Sequence, residues 1–282
     1  MADDKKTISF TKILVALDSS QHSRAALESA AVIAKLLEAN LQGLFVHDAQ
    51  WLRVSRLPAA FEINERTGEI SPIAEESIER QIKLLEQNIK EHFDLISEKN
   101  KLKHTWKSVR GAVRDKVLEA TRDADLITIG KVGRSFYKSG KLGSTAKAVI
   151  QETDKPVLIL QEGFRFKDKI ITVYDGTESC LSSVKLAALL AEKNNNKLSV
   201  IDLTHGIQEP SETEKKLVQM LDNSLPDFDI LTLKDPNIGK LLFLLNQLNG
   251  GLLVIPKTER YTKSSNLERI LEAVHSPVLL MK

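Results

Sequence analysis

The sequence predicts an α/β protein built from two tandem units, each a parallel five-stranded sheet with helices on both faces. Three observations carry this reading. Short apolar runs alternate with stretches of helical periodicity along nearly the whole chain, and parallel strands need crossover connections of that kind. Two landmarks nearly repeat: Lys12-Ile-Leu-Val-Ala-Leu-Asp18 is echoed by Lys169-Ile-Ile-Thr-Val-Tyr-Asp175, and Pro156-Val-Leu-Ile-Leu160 by Pro277-Val-Leu-Leu-Met281. The length of 282 residues suits two domains of about 140 residues, each able to bury a core.

In the first unit, residues 13–17 read as a strand that ends at Asp18. Ser19 and Ser20 follow as a helix cap, and Ala25, Leu27, Ala30, Ala31, Ile33, Ala34 and Leu37 recur at helical spacing, with Asn40 as the stop. Residues 41–46 make a second strand. Trp51 to Ile70 reads as a long irregular segment, of a kind usually functional or mobile. A helix over 72–97 places Ile73, Ile78, Ile82, Leu85, Ile89 and Phe93 on one stripe. A strand over 104–109 and a helix over 113–122 follow. Leu126, Ile127 and Ile129 then open the next strand, Ser144 starts a helix, and Pro156 to Leu160 closes the unit.

The second unit repeats the scaffold. Strands are expected over 170–174, 198–203, 229–233, 252–255 and 277–281, and helices over 179–192, 213–225, 238–248 and 267–274. The boundary falls after the first unit's last strand, giving units of 1–163 and 164–282.

Between the strand at Leu126 and the helix at Ser144 lies a glycine loop: Gly130, two residues, Gly133, nine residues, then Gly143-Ser144. Glycines admit positive φ and close backbone approach, while the free amides and positive dipole end of the next helix attract phosphate. Ser144 would cap that helix or donate to a phosphate oxygen. Turn glycines and an ordinary helix start would serve equally well. The spacing is neither the dinucleotide fingerprint nor a P-loop.

This loop, with Asp18 at the end of the first strand, resembles the ATP-binding branch of the universal stress protein family, and the resemblance extends over nearly the whole chain. It implies Rossmann-like domains of the adenine nucleotide alpha hydrolase type, in the tandem arrangement. It implies that Asp18 accepts hydrogen bonds from ribose or adenine, that Ala16 packs near the base, and that Val46 meets adenine through its backbone. Gly130 would lie against the ribose, and the amides of Gly133, Gly143, Ser144 and Thr145 would hold phosphates. The implied cofactor is ATP, AMP or another adenine nucleotide, with or without magnesium, in a stress-response regulator that is not a committed enzyme. The implied last-strand pairing joins the units within the chain or joins two chains as a homodimer.

Alternatives stay open at this point: a capping aspartate at Asp18, a plain sheet residue at Val46, and solvated surface cations at Lys131, Arg134, Lys138 and Lys141. A scaffold or carrier for a lipid or metabolite, or a slow ATPase, are the competing functions. The second unit departs from the pattern. Pro256 stands where the first has Gly130, Glu259 where it has Gly133, and Ser264-Ser265 where it has Gly143-Ser144. Proline lacks the donor amide and glutamate repels phosphate, so the second unit is not expected to bind nucleotide, and Asp175-Gly176-Thr177 is a relic of the scaffold.

A net charge of +2 and the absence of a basic run interleaved with aromatics disfavour nucleic acid. No apolar stretch approaches a membrane span, and the start of the chain lacks a signal-peptide core, which points to the cytoplasm. The single cysteine, Cys180, excludes an internal disulfide and reads as a small helix residue. His47-Asp48 has no metal-ligand spacing. Trp51, Leu57 and Phe61 either line the mouth of the cleft or cover the sheet edge.

Overall fold

The computed structural model describes residues 9–55, 61–63, 67–72, 74–133, 142–160, 169–204, 210–221, 228–248, 251–257 and 264–282. In the first half, β1 (Lys12–Leu17), α1 (Gln21–Leu37) and β2 (Asn40–Asp48) are followed by α2 (Ala49–Ser55), β3 (Phe61–Ile63) and β4 (Ile70–Pro72). Then come α3 (Glu75–Lys99), β5 (His104–Gly111), α4 (Val113–Thr121), β6 (Leu126–Gly130), α5 (Ser144–Glu152) and β7 (Val157–Leu160). The second half runs β8 (Lys169–Tyr174), α6 (Glu178–Asn194), β9 (Lys197–Asp202), α7 (Pro210–Leu221) and β10 (Phe228–Thr232). It closes with α8 (Ile238–Leu248), β11 (Leu252–Pro256), α9 (Ser264–Ala273) and β12 (Val278–Met281).

The two halves share one strand order and fuse into one sheet. Ten strands run β10-β9-β8-β11-β12-β7-β6-β1-β2-β5. Each half is parallel within itself, and the single antiparallel junction pairs β12 with β7, Leu279 opposite Leu158. The last strands therefore pair within the chain. Each has a neighbour on both sides, so the homodimer through those strands loses its free edge.

The core lies in two continuous layers. On one face Ala26, Ala30 and Ile33 of α1 pack with Phe93 of α3, Val184 and Leu190 of α6 and Leu217 of α7. On the other face α4, α5, α8 and α9 bury Val117, Val149, Leu241, Leu245 and Ile270. Both layers cross the junction between the halves. The second half also holds the last turn of α5: Lys257 and Lys282 donate to the carbonyl of Ile150, where a cation complements the negative end of the helix dipole.

Local chemistry explains the element ends. Ser20 caps α1, its hydroxyl accepting from the Ser23 amide at 3.1 Å. Helix α1 ends on Glu38 in the left-handed region, φ 55°, so Asn40 starts β2 instead of stopping the helix. The segment read as irregular contains α2 and the β3–β4 hairpin. Its Leu57 lies outside the described residues.

Candidate functional site

Strand order reverses at β1. The chain leaves β1 for β2 and β5 on one side and returns to β6 and β7 on the other, and sheets of this class bind ligands at the carboxyl ends of strands beside that switch. A cavity of about 810 Å³ opens there, within the range of small-molecule sites. All eight residues singled out in the sequence line it: Ala16, Asp18, Val46, Gly130, Gly133, Gly143, Ser144 and Thr145.

Asp18 follows β1 directly. Its Oδ1 accepts from the amide of Ser20 at 2.9 Å and from its hydroxyl at 2.5 Å, and its own amide donates to the Ser23 hydroxyl at 2.9 Å. This mesh fixes the carboxylate in place. Its Oδ2 accepts no hydrogen bond from the described residues and faces Gly133, where an added Cβ would lie 3.1 Å from it. The carboxylate therefore braces the Ser20 cap through one oxygen and keeps the other for the cavity.

Val46 is the first residue of β2 beyond the β1 ladder, which ends at Leu17 opposite Phe45, and it still pairs with Val109 of β5. Ala16 and Val46 both pack on the apolar layer beneath the cavity floor.

The glycines act through close approach, since neither Gly130, Gly133 nor Gly143 has positive φ. At Gly130 the tight neighbour is α1: a Cβ would meet His22 Cβ at 2.9 Å and the His22 carbonyl carbon at 3.0 Å. Gly143 is the N-cap of α5, φ −65°, so Ser144 is the first helical residue and makes no capping bond. The Gly143 amide already donates to the Lys131 carbonyl at 2.8 Å. It is therefore not one of the free donors expected there. The amides left at the cavity are those of Gly133, Ser144 and Thr145, the last two unpaired among the described residues because they open a helix.

Lys131 is not a solvated surface cation. It is 3% exposed, and burial lowers its ammonium pKa while the Glu272 carboxylate opposes that shift. Arg134, Lys138, Lys141 and Glu259 lie outside the described residues. Lys147 of α5 lines the cavity and pairs with Glu268 of α9 at 2.7 Å. Arg114 also lines it and pairs with Glu152.

Glu268 and Glu272 complete one wall of the cavity. Reading the units separately missed them, since they come from the second half. A sequence signal existed in their spacing of four, which puts both on one helical face. Trp51 lines the mouth at 47% exposure, whereas Phe61 is exposed on β3 and away from the lining.

His47 belongs to a polar cluster, its Nε2 lying 2.8 Å from Glu86 Oε2 and 2.9 Å from Ser108 Oγ. Burial raises the Glu86 pKa, but hydrogen bonds from Ser108 and Trp106 together with His47 hold it below the usual carboxylate value. Among the described residues no group of three or more His, Cys, Asp or Glu is arranged to hold a metal. No described helix is long and apolar enough to cross a membrane.

The second half differs at two described points. Pro256 opposite Met281 occupies the register position of Gly130 opposite Leu160. Asp175 uses Oδ1 to accept from Thr177, at 3.0 Å from the amide and 2.6 Å from the hydroxyl, but it is only 6% exposed and its Oδ2 is buried with no geometric hydrogen bond among the described residues. Cys180 is buried beside it, and burial together with Asp175 pushes its thiol up to about 12.

The universal stress protein family model matches residues 9–161. A curated universal stress protein from Synechocystis sp. is 27% identical over 189 residues, spanning 62% of this chain and 64% of its own length. Among solved structures, a universal stress protein from Archaeoglobus fulgidus DSM 4304 superposes with a TM-score of 0.71 at 14% identity, covering 96% of this chain and 98% of that one. A protein of unknown function from Pseudomonas aeruginosa PAO1 gives 0.62 at 16% identity, covering 97% and 92% respectively. At these identities the structural likenesses establish the fold.

Proposed function

Because the chain belongs to the universal stress protein family, we propose that it holds one adenine nucleotide, ATP or a relative such as AMP, in the first-half cavity. It acts as a cytoplasmic stress-response regulator that senses or stores the ligand, without committed turnover. The two halves are tandem domains, 1–163 and 164–282, and the second serves as structural partner.

The observation that carries this reading is convergence: eight residues scattered from Ala16 to Thr145 meet on one cavity of about 810 Å³. Their chemistry is complementary to a nucleotide. The open Oδ2 of Asp18 suits sugar hydroxyls, since a fixed carboxylate accepts without reorganising. Ala16 and Val46 offer an apolar seat for the base. At the other end the unpaired amides of Ser144 and Thr145, with Gly133, suit a phosphate at the positive end of α5.

Calorimetric titration with AMP and with ATP tests the reading. One site per chain is expected, weakened by about tenfold in Asp18→Ala, the size of a lost hydrogen bond to a charged group. Failure of both nucleotides to bind, with a lipid or metabolite detected by native mass spectrometry, would replace it with the carrier function.

A further inference from the structure

We propose that α9 makes the second half a charge gate on the phosphate end of the cavity, through which Glu268 and Glu272 select against ligands with several phosphates and favour monophosphates. This rests on the adenine-nucleotide reading above and adds a selectivity that the phosphate loop alone does not provide, because backbone amides hold phosphates without counting them.

The geometry is specific. Glu268 and Glu272 stand four residues apart on α9, so both project from one face, and both line the cavity with Gly143, Ser144 and Lys147. Lys147 lies on the first turn of α5, within reach of any ligand at the helix start, yet its ammonium is held by Glu268 at 2.7 Å. Lys131, immediately after Gly130, is buried, and Glu272 is the carboxylate that favours its charged form. Each of these two described lysines of the first half is thus matched to a carboxylate of the second half, Lys147 by a direct ion pair and Lys131 through the field of Glu272.

The described residues of the wall point the same way. Its described charged residues are Asp18, Asp48, Glu268 and Glu272 against Arg114 and Lys147, and both cations are paired. A monophosphate can be met by the α5 amides alone. Each further phosphate adds negative charge in a cleft whose carboxylates repel it, and the cost rises where water is partly excluded. A polyphosphate that draws Lys147 away from Glu268 leaves that carboxylate facing it.

The test is calorimetry with AMP and ATP, both magnesium-free, on wild type, Glu268→Gln, Glu272→Gln and the double variant. Glu272 is exposed and the Glu268 side chain is 38% exposed, so the substitutions leave the fold intact. Residues 134–141 are the same in every variant, and the comparison isolates α9. The double variant should bind ATP about tenfold more tightly, at up to about fivefold per carboxylate, while AMP changes by less than about threefold. Added potassium chloride should shrink the difference between wild type and variant. Equal shifts for both nucleotides, or weaker ATP binding in the variant, would overturn the gate while leaving nucleotide binding in place. Failure of every form to bind either nucleotide would overturn the adenine reading and the gate with it.

Discussion

Replacing Gly130 by alanine should destabilise the protein whether or not ligand is present. The new Cβ would lie 2.9 Å from His22 Cβ and 3.0 Å from the His22 carbonyl carbon, about 0.6 Å inside the distance at which carbon atoms pack best. One of those atoms is backbone in the first turn of α1, so relief requires α1 or β6 to shift. Neither moves freely, because Ala26, Ala30 and Leu126 are fully packed in the same layer. Overpacking of this kind costs about 1–3 kcal/mol, and alanine returns roughly 0.5–1 kcal/mol as the better strand residue. The net loss is about 1 kcal/mol, a fall in Tm of roughly 2 °C for a chain of this size. Urea denaturation and calorimetry of the ligand-free protein measure it. Gly133→Ala is the contrast: Gly133 is exposed, and among the described residues its added Cβ meets only Asp18 Oδ2 at 3.1 Å, so it should perturb ligand binding with little change in stability. Equal stability of Gly130→Ala and wild type would refute the packing account of this glycine.

Asp125 joins the starts of β1 and β6, its Oδ2 accepting from the amide and hydroxyl of Thr11 at 2.8 and 2.7 Å and from the Lys12 amide at 3.1 Å. Burial raises its pKa, but the bonds from Thr11 and Lys12 hold it below its ordinary value of 3.8. Its contribution is therefore complete above that value and fades as pH falls through the lower folded-state value. Asp125→Ala should cost about 1 kcal/mol at pH 7, with the gap closing below about pH 4. Urea midpoints against pH check this, and a gap that stays constant down to about pH 3 would contradict it. Cys180, buried with its thiol raised to about 12, should resist a thiol reagent at about pH 8 until the chain unfolds. Rapid labelling of the native protein would contradict that assignment.

Much of this architecture is legible in the sequence because its strands are buried on both faces and read as apolar runs such as Leu126-Ile-Thr-Ile129, all buried. The repeat of Lys12 to Asp18 in Lys169 to Asp175 likewise marks β1 and β8, which occupy the same place in their halves. What local pattern does not carry is what depends on tertiary neighbours. The short β3–β4 hairpin leaves Phe61, Ile63 and Ile70 exposed, so no buried face imposes alternation there. Gly130 signals a loop, but its cause is the passage of α1, far away in sequence. The engagement of the Gly143 amide by Lys131 depends on how the loop closes. The acidic wall from α9 comes from the fusion of the two halves at β7 and β12, a junction that the sequence left open between one chain and two.

The central claim is one nucleotide per chain, held in the first half. Protein saturated with AMP or ATP, freed of excess ligand and denatured, should release one adenine nucleotide per chain by chromatography and mass analysis. Gly143→Val, whose Cβ would meet the Lys131 carbonyl oxygen at 3.3 Å, should release none. Two per chain would contradict the assignment of the second half as a structural partner, and none from the wild type would contradict nucleotide binding itself.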